Sequence, residues 1–239
     1  MGSTRLPGKC MKRIMGKSLL YYQINQVKKV KLIDSIVVAT TNNSKDNVIS
    51  NFCKKEKINC FRGSEKNVLK RYFDAATFFR ANIIIRLTAD CPLIDPEIIK
   101  KTIEKFLSNK YDYVSTTCPV HDATYTDGMD VEIFNYFNLF KAHKLCNNKI
   151  EKEHVTTFFW KRPKQFRLFR LDLDKSYRNY RLTVDYIEDF ILIKKILLHF
   201  FKKKIKINFK NIISFLKKNP GYLRINLLKN KDIIDRSIK

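Results

Sequence analysis

The sequence contains no run of about 18 uncharged apolar residues, so no membrane-spanning helix is expected. Its N-terminal stretch is polar and has no apolar core of the secretory-signal kind, so a cytoplasmic location is expected. Cys10, Cys53, Cys60, Cys91, Cys118 and Cys146 form no C-x-x-C pair, and no histidine joins them at zinc-binding spacing. That pattern fits reduced thiols better than a zinc ribbon or a disulfide frame. With 6 glycines and 6 prolines there is no linker-like stretch, and no internal repeat is visible. Acidic residues are scarce, 23 against 48 Lys and Arg, for a net charge of +25. Such a charge suggests nucleic acid or an anionic membrane. However, the basic residues are spread along the whole chain among abundant Ile, Asn and Phe, which indicates compositional drift. The densest run, Lys202-Lys203-Lys204, falls between helical segments and reads as a solvated face. No specific nucleic-acid partner and no membrane insertion are expected. A positive field that favours anionic substrates is.

What is present reads as one α/β domain over residues 1–239, long enough to bury a sizeable core. Ser35–Thr40, Ile58–Phe61, Asn82–Thr88 and Tyr111–Thr116 are short apolar, β-branched runs that predict strands. Between them, Asn43–Lys57 and Glu65–Arg80 carry apolar residues at helical spacing, and Asp95-Pro96 predicts a capped helix start. This alternation predicts a doubly wound, mostly parallel sheet. After residue 118 the rhythm changes. Met129–Phe134 and Gln165–Leu173 predict strands, with helices over Tyr136–Cys146 and Glu151–Trp160. Residues 118–180 are therefore expected to form an α+β insertion over the sheet's carboxyl edge. Leu182–Asp185 predicts a final short strand, followed by helices over Tyr186–Phe201 and Phe209–Asn219.

Ligands of open α/β sheets bind beyond the strands' carboxyl ends. Four segments are expected to meet there. The first, Gly2-Ser3-Thr4-Arg5-Leu6-Pro7-Gly8-Lys9, is Gly-rich and carries two cations, which suits either a triphosphate cradle or a plain surface turn. It is not a P-loop: five residues separate Gly2 from Gly8, and Cys10 stands where a Mg²⁺-binding hydroxyl would be. The second is Arg62-Gly63-Ser64. The third ends in Asp90, either a turn residue or a metal ligand. The fourth is Asp185, whose spacing to Glu188 also fits a helix capping box. Two carboxylates facing a cationic Gly-rich loop would hold Mg²⁺ against a nucleotide's phosphates. Asp127, Gly128, Asp130 and Glu132 form a glycine turn entering a strand, either a hairpin with solvated acids or a surface recognising hydroxyls. His154, His121 and Arg181 are further polar candidates.

Taken in order, these segments resemble the cytidylyltransferases that activate acidic sugars. The likeness is to the spore-coat polysaccharide biosynthesis branch related to CMP-Kdo and CMP-acylneuraminate synthetases. It covers nearly the whole chain, through Gly2–Lys9, Ile36–Thr41, Phe61–Glu65, Arg86–Asp95, Asp127–Glu132, Glu153–Thr156 and Arg181–Asp185. The resemblance implies a Rossmann-like nucleotidyltransferase fold. The implied reaction joins CTP and a sugar acid into a CMP-sugar and pyrophosphate for surface polysaccharide or glycan synthesis. It implies Gly2, Ser3, Arg5, Gly8 and Lys9 around the triphosphate, with Arg5, Lys9 and Asp90 catalytic. It also implies Mg²⁺ on Asp90 and Asp185, and Arg62, Gly63 and Ser64 near the base. Asp127, Gly128, Asp130, Glu132, His154 and Arg181 would shape the sugar site, and a homodimer would form through the insertion. For the aromatic run Phe158-Phe159-Trp160 the alternatives are that interface or ordinary core.

The sequence departs from the family pattern at its start, where relatives carry a strand and an Ala-Arg pair before the Gly-Ser motif. The expectation is that the first central strand is missing here and that Met1 is internal to a longer protein, with about 8–10 further residues making one strand and its lead-in. The competing readings are a glycosyltransferase or another sugar nucleotidyltransferase on the same architecture, a truncated inactive homologue, and a non-catalytic polyanion binder.

Overall fold

The computed structural model describes residues 1–108, 110–119 and 122–229. A small hairpin, β1 (Arg13–Ile14) and β2 (Lys17–Ser18), leads into α1 (Leu19–Val27). Ser18 caps α1 by accepting the Tyr21 N–H at 3.2 Å. This hairpin and helix lie in a stretch where the sequence patterns above placed no element.

Next comes a β-α-β unit: β3 (Val37–Thr41), α2 (Asn47–Glu56) and β4 (Asn59–Gly63), with β3 and β4 parallel and Thr41 opposite Gly63. Helix α3 (Val68–Phe78) leads to β5 (Ile83–Arg86) and α4 (Pro96–Leu107). Asp95 caps α4 as expected, accepting the Glu97 N–H at 2.9 Å, with Pro96 at the first helical position. Then follow β6 (Tyr113–Ser115), β7 (Glu132–Asn135), α5 (Tyr136–Leu145), α6 (Lys149–His154), α7 (Thr157–Trp160) and β8 (Leu168–Arg170). Helices α8 (Ile187–Lys202) and α9 (Phe209–Lys218) and a 3₁₀ turn (Pro220–Ile225) follow.

The second sheet has the order β5-β7-β6-β8. The α/β architecture holds, with parallel ladders β3–β4 and β6–β8, but β7 runs antiparallel between β5 and β6. The region expected to lie over the sheet's edge thus contributes a strand to its middle. The reason lies in the side chains of β7, which alternate between two buried faces. Phe134 packs with Ile84, Tyr113, Phe158 and Phe159 on one side, and Ile133 packs with Val114, Ile99 and Ile193 on the other. Phe158 and Phe159 are accordingly core residues. The helix expected over Glu151–Trp160 breaks in two at Val155, whose φ is 52°.

Among the described residues β3 pairs only with β4, and β5 only with β7. The two sheet pieces share helical layers. Helix α1 packs Leu20 and Ile24 in the cluster that includes Val38, and Leu19 and Tyr22 in the cluster that includes Ile85 and Leu87. Buried Gln23 and Gln26 on α1 donate to the carbonyls of Thr88 and Ile94, at 2.6 and 3.1 Å. Both ends of the turn carrying Asp90 are thereby held to α1.

Candidate functional site

The opening segment folds as a tight loop. Gly8 adopts φ 66°, Ser3 accepts the Leu6 N–H at 3.3 Å, and the Lys9 N–H reaches the Leu6 carbonyl at 3.2 Å. These bonds aim Arg5 and Lys9 at two carboxylates. Lys9 Nζ lies 2.6 Å from Asp90 Oδ2 and 2.8 Å from Asp185 Oδ1. Arg5 Nη2 lies 2.9 Å from the same Asp185 oxygen, with its guanidinium against the Tyr186 ring.

Asp185 is not on a strand. Leu182–Asp185, expected as one, is an irregular, bent segment held by two backbone bonds. The Leu182 N–H donates to the Asp127 carbonyl at 2.8 Å, and the Val184 N–H to the Asp90 carbonyl at 2.9 Å. Three segments distant in sequence are thus stitched together by main chain. The capping box expected from Asp185 and Glu188 forms one residue later, with Tyr186 as N-cap and Asp189 as its partner, whose Oδ2 accepts the N–H groups of Asp185 and Tyr186 at 2.9 and 3.0 Å. The Asp185 carboxylate is left to face cations. Sequence reasoning missed Asp189; the signal was a second acid one residue beyond Glu188, on the buried face of α8.

Arg181, whose side chain is fully buried, anchors the cluster. Its Nε bonds Asp189 at 3.0 Å, its Nη2 bonds Asp185 Oδ2 at 2.7 Å, and its Nη1 pairs with Asp127. Asn226 donates to both Asp189 and the Arg181 carbonyl, at 2.8 and 3.2 Å. Burial would lower the Lys9 ammonium, but Asp90 and Asp185 outweigh it and hold it above its ordinary value. Burial likewise pushes the Asp185 carboxyl up, but Lys9 and Arg181 prevail and hold it below its ordinary value.

Asp130 shapes the turn beside this cluster. It accepts Thr117 Oγ1 and the Gly128 N–H, each at 2.6 Å. Gly128 has φ 108°, and a Cβ there would stand 2.5–2.6 Å from backbone atoms of Leu182 and Thr183. The turn therefore lies directly on the segment that presents Asp185.

Other candidates sit apart, with no hydrogen bond or ion pair to Lys9, Asp90 or Asp185. The Arg62 guanidinium binds the Thr41 and Asn43 carbonyls and Asn47 Oδ1, at 3.0, 2.9 and 2.7 Å, and so braces the turn after β3. Gly63 packs beneath Arg71, and Ser64 accepts the Asn67 N–H at 3.1 Å ahead of α3. Gly2 lies near Glu65. Glu132 is buried in β7, paired with Arg86 and accepting Tyr113 Oη at 2.5 Å. His154 is exposed at the end of α6, and its side chain has no hydrogen-bond partner among the described residues. His121 lies outside the described residues.

Asp90 Oδ2 and Asp185 Oδ1 converge on one point, the Lys9 nitrogen. Among the described residues no group of three or more His, Cys, Asp or Glu is arranged to hold a metal ion. Two hard carboxylates fit a Mg²⁺ ion that completes its octahedron with water and phosphate oxygens, and do not form an all-protein cage. No helix among the described residues is long and apolar enough to cross a membrane.

The mixed α/β fold is of the nucleotidyltransferase class, and on it Lys9 and Arg5 face two carboxylates that lie in loops. The profile of the cytidylyltransferase family matches residues 1–218. The chain belongs to that family. The spore coat polysaccharide biosynthesis protein SpsF of Bacillus subtilis is 29% identical over 228 residues, which cover 92% of each chain. The structure of a cytidylyltransferase from Leptospira borgpetersenii superimposes with a TM-score of 0.86 at 32% identity, covering 93% of this chain and 92% of that one. A CMP:2-keto-3-deoxy-manno-octonic acid synthetase solved with CTP shares the fold, with a TM-score of 0.63 at 13% identity over 83% of this chain and 95% of that one.

Proposed function

We propose that the protein transfers a cytidylyl group from CTP to a hydroxyl of a sugar acid, releasing pyrophosphate, with Mg²⁺ held by Asp90 and Asp185. The observation that carries this reading is the convergence of Lys9 and Arg5 on those two carboxylates at 2.6–2.9 Å. The polysaccharide role of the Bacillus relative and the CTP-bound synthetase of the same fold support the sugar-acid acceptor.

In this scheme the acceptor hydroxyl gives its proton to water, its oxygen forms a bond to the α-phosphorus of CTP, and the bond to the pyrophosphate oxygen breaks as pyrophosphate leaves. Arg5 and Lys9 bind triphosphate oxygens and stabilise the charge that builds there and on the leaving group. Mg²⁺ bound at Asp90 and Asp185 would supply further neutralisation of phosphate charge. Arg181, fixed by Asp189, holds Asp185 and Asp127 in place, so the protein contributes chiefly position and a fixed field. No enzyme nucleophile is required, and the cysteines can remain inert. The turn at Asp127–Asp130, beside Asp185, is the part of the predicted sugar surface that adjoins the reacting centre. A homodimer through the 118–180 region belongs to the same proposal. It is supported by Phe137, Leu145 and Ile150, which are exposed on or beside α5 and α6.

Pyrophosphate release measured with CTP, UTP, ATP and GTP against a panel of sugar acids tests the reading. CTP-dependent release with at least one sugar acid is expected, and Asp90→Asn should lower kcat by about 10²–10³-fold, the loss typical of removing one charge-stabilising contact. If every sugar acid leaves pyrophosphate at background, the assignment is wrong.

A further inference from the structure

In this structure the cations of the opening loop occupy the carboxylates that the proposed function assigns to a metal. Lys9 Nζ lies between Asp90 Oδ2 and Asp185 Oδ1, at 2.6 and 2.8 Å, and its side chain is only 19% exposed. Arg5 adds a second contact to Asp185 Oδ1 at 2.9 Å, and Arg181 takes the other oxygen of the same carboxylate at 2.7 Å. Every Asp185 oxygen is thus engaged by a cation from the chain itself. An ammonium nitrogen within 3 Å of two carboxylate oxygens and a hard dication compete for the same atoms. Both cannot sit there without severe like-charge repulsion.

We propose that Lys9 is a removable stand-in for the divalent cation: in the nucleotide-free protein it closes the metal site, and it leaves the carboxylates for the triphosphate when nucleotide enters. This deepens the proposed function and rests on it. The exchange leaves neither place with less positive charge. The carboxylates give up one ammonium and accept a dication, and the triphosphate gains that ammonium. Lys9 is suited to the move because its charge is a point at the end of a flexible four-carbon stem, unlike the forked guanidinium of Arg181. Arg181 is fixed by Asp189 and Asn226 and stays behind to orient Asp185. The loop carrying Lys9 is anchored by short-range bonds within itself, from Ser3, Leu6 and Gly8. The side chain can therefore change partner without rebuilding the sheet.

Two consequences follow. The free protein binds a divalent cation weakly, because Lys9 must first be displaced. Metal and nucleotide then bind with positive coupling, and that coupling is reciprocal by linkage. Removing the Lys9 charge should have opposite effects on the two ligands, tightening the metal alone and weakening the nucleotide alone. A residue that only bound phosphate would weaken the nucleotide and leave metal binding unchanged.

Water-proton relaxation with Mn²⁺ as the probe reads these effects directly, because it reports macromolecule-bound Mn²⁺ without turnover. Wild type and Lys9→Met are titrated with Mn²⁺ alone and again with saturating CTP, with Lys9→Gln as a second charge-free variant and circular dichroism as the check on folding. Lys9→Met alone should bind Mn²⁺ about 5–150-fold more tightly than wild type alone, the range typical of coupled sites. Wild type should show strong relaxation enhancement only with CTP present. If wild type shows that CTP-dependent enhancement but neither folded variant binds Mn²⁺ more tightly than wild type alone, the stand-in role is wrong and the metal assignment survives. If no sample shows enhancement, with CTP or without, the metal assignment fails and the stand-in role fails with it.

Discussion

Gly128→Ala is the most discriminating single substitution this site offers. Gly128 adopts φ 108°, and its hypothetical Cβ lies 2.5 Å from the Leu182 carbonyl carbon and 2.6 Å from the Thr183 nitrogen. Two penalties therefore combine. Backbone strain at that φ costs about 1–3 kcal/mol for a residue with a side chain. Overpacking against main chain, which cannot rotate aside, adds about 1–3 kcal/mol. The sum, about 2–6 kcal/mol, corresponds to a melting point lower by about 4–24 °C for a chain of this size. Relief requires the Gly128 turn or the 182–185 segment to move away; the segment carries Asp185, and the turn carries Asp127, which pairs with Arg181. A displacement near 1 Å at a reacting centre costs about 10²-fold in rate, so kcat should fall even at temperatures where the variant is folded. Gly16→Ala is the matched control. Gly16 also has positive φ, 76°, but a Cβ there meets nothing within 4 Å. It should lose only about 1–2 kcal/mol, with unchanged activity. Calorimetric melting of both variants, beside CTP-dependent pyrophosphate release below their transitions, separates strain from displacement. A Gly128→Ala protein that melts and turns over like the Gly16→Ala control would refute the reasoning.

The remaining expectations concern the charge cluster. Arg181→Met removes the partner of three acids, one of them the fully buried Asp189, and should destabilise by about 3–5 kcal/mol. An unchanged denaturant midpoint would mean that Asp189 finds compensation elsewhere. Asp185→Asn should change the pH dependence of stability. The folded carboxyl is held below its ordinary 3.8, so its contribution is complete above that pH and lost as pH falls through the lowered value. The stability gap between wild type and Asp185→Asn should therefore be widest above about pH 4 and close in stronger acid. A gap that widens with acid would reverse the assignment of its neighbours. Phe137→Ser should lower the mass seen by sedimentation if the 118–180 face joins two copies. A wild-type protein that sediments as a monomer at every concentration would remove that part of the proposal.

Much of the fold was legible because local signals agreed with tertiary ones. The β-branched runs at Val37–Thr41 and Ile83–Arg86 became strands, and Asp95-Pro96 became a helix start. The amphipathic pattern from Phe209 became α9. Where signals competed, the sequence was ambiguous. Met129–Phe134 has a strand pattern, but nothing local says that it inserts between β5 and β6. That follows from its two buried faces meeting two different helical layers. Leu182–Asp185 is apolar enough for a strand, yet its backbone bonds run to Asp127 and Asp90 in turns, so no ladder forms. Arg62 and Glu132 carried the right chemistry for a site, and the fold uses both internally.

By itself the sequence determined the periodicity that makes the strands and helices, and the residue types that can hold phosphate and metal. Those properties depend on neighbours within a few residues. The tertiary structure alone decided which charges meet. Arg5 and Asp185 lie 180 positions apart, and Lys9 and Asp90 lie 81 apart. No local pattern encodes such a pairing, because it depends on how the layers stack and which turns the main-chain bonds tie together. Tertiary structure also turned Asp185 into the meeting point of Lys9, Arg5 and the buried Arg181, while the local capping box of Tyr186 and Asp189 closed the start of the helix.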